Sequence, residues 1–127
     1  MILDAIGIVA SDVQSSIKFY SFLGLNFSGQ GESGDHVEAK TQSGLRIMID
    51  SEALMKELNP NWISPEGQRM TLAFLCKSPE EVDSLYHKII SSGHRGIKEP
   101  WDAFWGQRYA TVVDPDGNAV DLFAPLS

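Results

Sequence analysis

The sequence predicts an α+β protein in which one pattern of elements is written twice. An apolar strand at residues 2–10 leads to a helix-capping residue, Asp12, and a second apolar strand at 70–76 leads to Ser78. A tyrosine follows each cap at the same spacing, at Tyr20 and Tyr86, 66 residues apart. Each half also ends in two short strands around a turn, and the turns lie 73 residues apart. This repetition predicts two similar halves whose sheets pack together.

In the first half, the Ile- and Val-rich segment 2–10 is typical of a buried strand. Either Ser11 or Asp12 can accept a hydrogen bond from the first free N–H groups of a helix, and Gly24 favours a left-handed cap at its end. A hairpin is predicted from strands 36–40 and 45–50 around the turn 41–44. The helix has an apolar stripe formed by Val13, Ile17 and Tyr20.

In the second half, Ser78 is a helix cap, Pro79 occupies the first helical position and Glu81 completes a capping box. The helix is predicted to stop at Gly93. Strands 108–113 and 118–123 flank the turn Asp-Pro-Asp-Gly at 114–117. The helix has an apolar stripe formed by Val82, Leu85, Tyr86, Ile89 and Ile90.

The length of 127 residues fits one domain, or two half-domains that share a core. With 43% hydrophobic and 21% charged residues, the chain has the composition of a folded globular protein. Segment 57–67 contains two prolines and no periodic apolar pattern, so we expect a linker there. The predicted organisation is a first module at 1–56, the linker at 57–67 and a second module at 68–127.

The charge balance narrows the classes of partner. Seventeen acidic and ten basic side chains give a net charge of −7, which repels a phosphate backbone or an anionic membrane surface. We therefore expect neither nucleic acid nor membrane as a partner. The single cysteine, Cys76, lies in an apolar run and forms no internal disulfide, so the cytoplasm is the expected location. Segment 1–10 contains Asp4 and lacks the basic start of a secretion signal, so we expect mature structure there.

Common cofactor and nucleophile motifs are missing from the sequence. The three histidines have no metal-motif spacing. Residues 29–34 match the letters of a dinucleotide fingerprint, but a strand follows instead of a helix, so we expect a flexible turn. No serine elbow, redox cysteine pair or phosphate loop occurs. The expected cofactor is therefore none, and no catalytic residue is assigned.

Several short motifs carry a family resemblance. They are the segment 7–12, Phe19-Tyr20, the segment 23–25, Trp105-Gly106 and the segment 114–118. With these motifs the chain, from about residue 2 to 124, resembles the vicinal oxygen chelate superfamily, which includes glyoxalase I, extradiol dioxygenases, fosfomycin resistance proteins and bleomycin resistance proteins. The resemblance implies two βαβββ modules whose eight strands form a curved half-barrel with a cleft. It also implies a homodimer, because a second copy can cover the sheet edges and the cleft.

The same resemblance implies where a metal would bind. Family members place ligands on the first and last strands of each module, which correspond here to Ala5, Met48, Thr71 and Asp121. Only Asp121 is a competent ligand, since alanine offers no donor and methionine sulfur suits neither Zn²⁺ nor Mg²⁺. We therefore expect no metal at this site.

Strand alternation predicts which side chains share the cleft face with those four positions. Counting back from the 114–117 turn places Arg108 diagonally opposite Asp121, where the two could form a charge pair. The same counting turns His36, Glu38 and Lys40 toward the helix, and the facing of this strand stays open.

The loop aromatic residues complete the candidate site. Trp62 lies in the linker, and Trp101, Phe104 and Trp105 lie in the segment 99–106. They are either plugs that close a barrel end or stacking walls for a flat or cationic ligand. The full set of ligand-binding candidates is Met48, Trp62, Trp101, Phe104, Trp105, Arg108 and Asp121.

The favoured function is that of a metal-free binding protein. It would sequester an apolar or aromatic small molecule without changing it, and a cationic antibiotic is one candidate, as for the bleomycin resistance proteins that the chain resembles. One alternative is a metal-dependent lyase, isomerase or dioxygenase with a displaced site around Asp121, using Glu38, Asp50 or His36 as donors. Another is an interaction domain without a ligand. The sequence names neither the ligand nor a reaction.

Overall fold

A computed structural model describes residues 1–30 and 34–127 of the chain. Part of the turn expected at 29–34, namely residues 31–33, lies outside the described residues. The chain forms two compact units, Met1–Glu66 and Gly67–Ser127, and the boundary between them falls at the end of the expected linker. None of the helices within the described ranges is long and apolar enough to cross a membrane.

Unit 1 contains four strands and two helices. They follow one another as β1 (Ala5–Ala10), α1 (Val13–Ser21), β2 (Ser28–Gln30), β3 (His36–Lys40), β4 (Arg46–Ser51) and α2 (Glu52–Leu58). The strands form the first sheet in the order β1-β4-β3-β2, with β1 parallel to β4 and the other pairs antiparallel. Helix α2 was not predicted; it lies mainly at the end of the predicted first module and includes only the first two residues of the expected linker.

Unit 2 repeats this arrangement. Its elements are β5 (Leu72–Leu75), α3 (Pro79–Ser91), β6 (Arg95–Ala103), β7 (Gln107–Val113) and β8 (Ala119–Pro125). The strands form the second sheet in the order β5-β8-β7-β6, again with a parallel pair at one end. Each unit is therefore a βαβββ module, and the predicted α+β class and internal repeat are confirmed.

The helix caps form where the sequence places them. The Asp12 carboxylate accepts a hydrogen bond from the Ser15 N–H at 3.3 Å, and this contact lowers the pKa of Asp12. Ser78 Oγ accepts from the Glu81 N–H at 3.2 Å. Glu81 reaches back to the N–H of Lys77, one residue before the cap, at 2.9 Å. These contacts satisfy helix N–H groups that have no partner within the helix.

Each sheet has one buried face and one face that is open to solvent within its unit. In the first sheet the buried positions alternate with half-exposed ones along β3 and β4, so Val37 and Ile49 are covered while Met48 is not. In the second sheet α3 packs on β7 and β8, and Val112 and Leu122 are fully buried. The uncovered sides are called here the open faces of the first and second sheets. They carry every second residue of each strand.

Both hairpin turns have three-residue loops instead of the four-residue loops that the sequence suggested, and this difference of one residue changes which residues face each other. The Asp114 N–H donates to the Asn118 carbonyl at 2.8 Å, so the loop between paired residues spans 115–117. Gly117 has a φ of 89°, which a glycine adopts without strain. The Asp114 carboxylate fixes this shape by accepting from the backbone N–H groups of Asp116 and Asn118, each at 2.9 Å.

Because the loop has three residues, the observed register of the second hairpin differs from the predicted register. Thr111 lies opposite Asp121 and Tyr109 opposite Phe123, whereas Arg108 lies opposite Ala124 on the buried side. The predicted diagonal pair between Arg108 and Asp121 is therefore wrong. A shift of one residue moves a side chain to the other face of a sheet, which is why the error changes the site.

The first hairpin has the same geometry. The Thr41 N–H donates to the Leu45 carbonyl at 2.9 Å, which places His36 opposite Asp50 and Glu38 opposite Met48. Both His36 and Glu38 thus lie on the open face with Met48, which answers the question of facing that the sequence left open for this strand.

Candidate functional site

Five aromatic side chains form a connected cluster in unit 2, and we call it the aromatic cluster. Trp105 contacts Trp101, Phe104 and Tyr109, with ring centroids 5.6, 4.9 and 5.2 Å apart and the rings edge to face. Tyr109 stacks on Phe123 at 6.1 Å. These are the arrangements that aromatic pairs favour. The cluster consists of Trp101, Phe104, Trp105, Tyr109 and Phe123.

The strands explain why these rings meet. Trp101 belongs to β6, where it pairs with Tyr109 across the hairpin, so the prediction that it lies in a loop is wrong. Phe104 and Trp105 occupy the turn between β6 and β7. The indole N–H of Trp105 donates to the Gln107 side chain at 2.8 Å. The hairpin therefore holds the rings on one side of the second sheet.

The cluster leaves much apolar surface uncovered. Phe104 is 89% exposed, Trp105 is 47% exposed and Leu75, which pairs with Phe123, is 68% exposed. The ammonium group of Lys98 lies 4.9 Å from the centre of the Trp101 ring, so one ring already accommodates a cation over its face. Contiguous exposed apolar surface of this kind is typical of binding sites.

Asp121 lies on β8 next to the cluster, and its carboxylate is held by two hydroxyl groups. Tyr109 Oη donates to Oδ2 at 2.6 Å, and Thr111 Oγ1 donates to Oδ1 at 2.9 Å. Burial, together with the hydrogen bond to Asp121, raises the pKa of Tyr109 to about 12, so its hydroxyl stays protonated and donates. Each carboxylate oxygen can accept a further hydrogen bond, which makes Asp121 a fixed anionic anchor beside aromatic rings.

Sequence reasoning missed Tyr109 and Thr111. The glycine at the end of each turn was the available signal, because a type I turn followed by a left-handed glycine forms a three-residue hairpin loop. With that register, both residues move to the face that carries Asp121.

Arg108 serves a different purpose from the one predicted. Its guanidinium donates to both carboxylate oxygens of Asp83, at 2.8 and 3.2 Å, and to Asp102 at 3.1 Å. Asp83 lies on α3, so Arg108 ties this helix to β7 and β6. The structure thus separates Arg108 from Asp121 and the aromatic cluster.

Two predicted site residues belong to unit 1. Met48 lies on β4, where it pairs with Gly7 and Glu38. Trp62 follows α2 in an irregular segment, is half-buried, and its backbone N–H donates to the Asn59 carbonyl at 2.9 Å. Within unit 2, the structure brings Tyr109, Thr111 and the aromatic cluster together around Asp121.

The open face of the first sheet carries charges instead of aromatic rings. His36 is hydrogen-bonded through Nδ1 to Asp50 and through Nε2 to Glu38, the latter at 2.9 Å. Arg46 bridges Glu38 and Asp4 at 3.0 and 2.7 Å. The hydrogen bonds from Asp50 and then Glu38 raise the pKa of His36, and His36 in turn lowers the pKa of Glu38. These five residues are called the charged cluster below.

The donor chemistry at the positions implied by the resemblance does not fit a divalent metal. Ala5 and Met48 in the first sheet and Thr71 before β5 supply no carboxylate or imidazole, which leaves Asp121 with two hydroxyl partners. The alternative donors proposed around Asp121 lie in the charged cluster, where both ring nitrogens of His36 are engaged. Across residues 1–30 and 34–127, no group of three or more His, Cys, Asp or Glu side chains is arranged to hold a metal ion.

Comparison with known families agrees with this architecture. A family model described as the Glyoxalase/Bleomycin resistance protein/Dioxygenase superfamily matches residues 2–122. The chain belongs to this superfamily. The match includes nearly all of both modules and the β7–β8 hairpin as far as Leu122, so it contains Asp121. Among curated proteins, no significant sequence match is found.

Solved structures of superfamily members share the fold. A glyoxalase/bleomycin resistance protein/dioxygenase family enzyme from Burkholderia phytofirmans PsJN is similar with a TM-score of 0.84 and 22% identity, over 98% of each chain. A glyoxalase-related enzyme from Fulvimarina pelagi has a TM-score of 0.84 at 17% identity, over 97% of this chain and 87% of that one. A glyoxalase/bleomycin resistance protein/dioxygenase from Nocardioides has a TM-score of 0.78 at 22% identity, over 100% of this chain and 85% of that one. At these identities the likeness establishes the fold alone.

Proposed function

We propose that this superfamily member binds an apolar or aromatic small molecule at the aromatic cluster and does not change it chemically. The observation that carries the proposal is the exposed aromatic surface beside the fixed Asp121 carboxylate. Flat rings of a ligand would stack on Trp105 and its neighbours. A cationic group of the ligand would hydrogen-bond to Asp121, so a cationic antibiotic is a fitting candidate.

The proposal includes a metal-free site. Its support is the donor set, since the implied ligand positions provide one carboxylate and no imidazole. Protein purified without chelator is expected to contain less than one equivalent of Zn²⁺, Ni²⁺, Mn²⁺ or Fe²⁺ by elemental analysis. One equivalent of metal that is lost in Asp121→Ala would overturn this part and favour a metal-dependent enzyme.

Ligand binding can be tested with matched probes. Proflavine, a planar aromatic cation, and acridone, a neutral ring system of similar size, are titrated while tryptophan fluorescence is recorded, and a wider set of cationic antibiotics is screened by thermal shift. A ligand at one hundred times its Kd stabilises the fold by about 2.7 kcal/mol. We expect the cation to bind more tightly than the neutral compound. Absence of binding by every aromatic compound would overturn the proposal.

Variants locate the site. Asp121→Asn is expected to weaken binding of the cation about tenfold or more, since a hydrogen bond to a charged group contributes about 1.5–3 kcal/mol. Binding of the neutral probe should change little. Glu66→Gln is the matched control because it removes one negative charge from an exposed position in unit 1. An equal loss in both variants would mean that only the net charge of −7 attracts the ligand.

A further inference from the structure

His36 lies between two carboxylates on the open face of the first sheet. Asp50 is its cross-strand partner on β4, and Glu38 is two residues away on the same strand. Nδ1 is hydrogen-bonded to Asp50 and Nε2 to Glu38 at 2.9 Å. An ionised carboxylate only accepts hydrogen bonds, so both ring nitrogens must carry hydrogens to make both contacts. The geometry therefore requires an imidazolium ring.

Within residues 1–30 and 34–127, few other charged groups lie near the ring. On β4, Arg46 bonds to Glu38 and to Asp4, which precedes β1. On β1, the residue paired with Asp50 is Val9, and on β2 the residue paired with His36 is Gln30; both are uncharged. Asp35, next to His36 in the chain, accepts a hydrogen bond from Ser51. The His36, Glu38 and Asp50 side chains are 25%, 26% and 18% exposed, so water screens their interactions only in part.

We propose that His36 is a pH-operated clamp, whose imidazolium ties β3 to β4 across the open face of the first sheet. When the ring loses one proton, one of its nitrogens no longer carries a hydrogen and points a lone pair at a carboxylate. The hydrogen bond between that nitrogen and the carboxylate is then replaced by repulsion. The neutral ring has a single N–H, so it can donate to either Glu38 or Asp50 but not to both. The open face of unit 1 gains one negative charge, and the contact between β3 and β4 on that face loosens.

The direction of the pH dependence follows from the two carboxylates. They raise the pKa of His36 above the ordinary value of about 6.5. The unfolded chain lacks these contacts, so the clamp stabilises unit 1 fully at pH values below about 6.5. The stabilisation is lost as the pH rises through the higher pKa of the folded state.

Side-chain NMR tests the clamp directly. We record ¹H–¹⁵N spectra of the three histidines between pH 5 and 9, with His87 as internal reference. His87 is exposed on α3, and its Nδ1 donates to the Asp83 carbonyl at 2.7 Å. We expect His36 to titrate above the ordinary histidine pKa of about 6.5. Glu38→Gln and Asp50→Asn should each lower its titration midpoint.

Hydrogen exchange tests the consequence for the sheet. Protection factors of the β3 and β4 amides are expected to fall in the wild type as His36 loses its proton, and to stay level with pH in His36→Gln. His87→Gln should behave like the wild type. A midpoint for His36 at or below the ordinary histidine value of about 6.5, or unchanged protection across its titration, would overturn the proposal. If His36→Gln does not fold, Glu38→Gln is used instead, and its protection is expected to fall at a lower pH than in the wild type, together with its lowered His36 midpoint. None of these readouts depends on ligand binding by unit 2.

Discussion

Asp121 and Asp50 are the carboxylates on which the two proposals depend, and they differ in the groups that contact them. Asp121 is held by the neutral hydroxyls of Tyr109 and Thr111, so its negative charge is kept at the edge of the aromatic cluster. Asp50 faces the His36 imidazolium, so its charge is balanced within the fold. For this reason Asp121 is the better candidate for binding a cation from outside.

Trp105 tests whether the aromatic cluster is a binding wall or a hydrophobic plug. The Trp105 side chain is 47% exposed. Trp105→Ala should therefore lower the free energy of unfolding by much less than the ~3–5 kcal/mol that is lost when a buried aromatic ring is replaced by alanine. Phe19, which is fully buried on α1, provides the comparison, and Phe19→Ala should lose that full amount. Urea denaturation measures both. Equal losses in the two variants would show that Trp105 is core.

Ser16 offers a second test at the level of one atom. Its hydroxyl is buried within α1 and has no hydrogen-bond partner among residues 1–30 and 34–127. An unsatisfied buried polar group costs about 1–3 kcal/mol, and alanine also favours the helix. Ser16→Ala should therefore raise the free energy of unfolding by about 1 kcal/mol.

The matched control for Ser16 is its neighbour on the same helix. Ser15 Oγ donates to the Asp12 carboxylate at 3.0 Å, so Ser15→Ala gains helix propensity but loses a hydrogen bond. Thermal and urea unfolding should place Ser16→Ala above Ser15→Ala. The reverse order would mean that the Ser16 hydroxyl is satisfied in solution, for example by a buried water.

Among the elements, β6 depends on a close approach to α3. A Cβ atom on Gly96 would lie 2.9 Å from two ring carbons of Tyr86, which is buried under this strand. Gly96→Ala should therefore destabilise the protein by about 1–3 kcal/mol, the usual cost of overpacking. Gly29→Ala is the control, since its Cβ would meet only Val37 Cγ1 at 4.0 Å. A Gly96→Ala variant as stable as Gly29→Ala would contradict the close packing of Tyr86.

Elements with a buried face could be predicted from the sequence, and exposed elements could not. Helices α1 and α3 have capping residues and apolar stripes, and both were predicted close to their observed bounds. Helix α2 has no buried residue, so no periodic stripe marked it. The first five residues of β6 are exposed and its register against β7 shifts twice, which removed the alternation that identifies a strand. The number of residues in each turn, which ends in Gly44 or Gly117, determines which side chains of β3 and β7 lie on the open face. This number was not predicted from the sequence.

At the scale of the whole chain, the repeat fixes the fold while the open faces have diverged. Both sheets have the same strand order, yet one open face carries the charged cluster and the other the aromatic cluster. The repeated caps and turns made the fold predictable. The candidate site could be described from the sequence only in part: the sequence singled out Asp121 and the aromatic residues in and after β6, whereas the placement of Tyr109, Thr111 and the charged cluster depends on hairpin register.

The oligomeric state is the last prediction, and it concerns the surface that the chain leaves exposed. Each sheet ends in an edge strand on both sides. Large apolar side chains are also exposed; Ile97 on the β6 edge, for example, is 65% exposed. Unpaired edges and apolar surface favour association with a second copy. We expect a homodimer with about twice the chain mass of 14.0 kDa in light scattering at micromolar concentration. Dilution should lower the average mass as the dimer dissociates. A mass of 14.0 kDa at every concentration would contradict this expectation, and the exposed edges and rings would then have to be covered by a ligand or left in solvent.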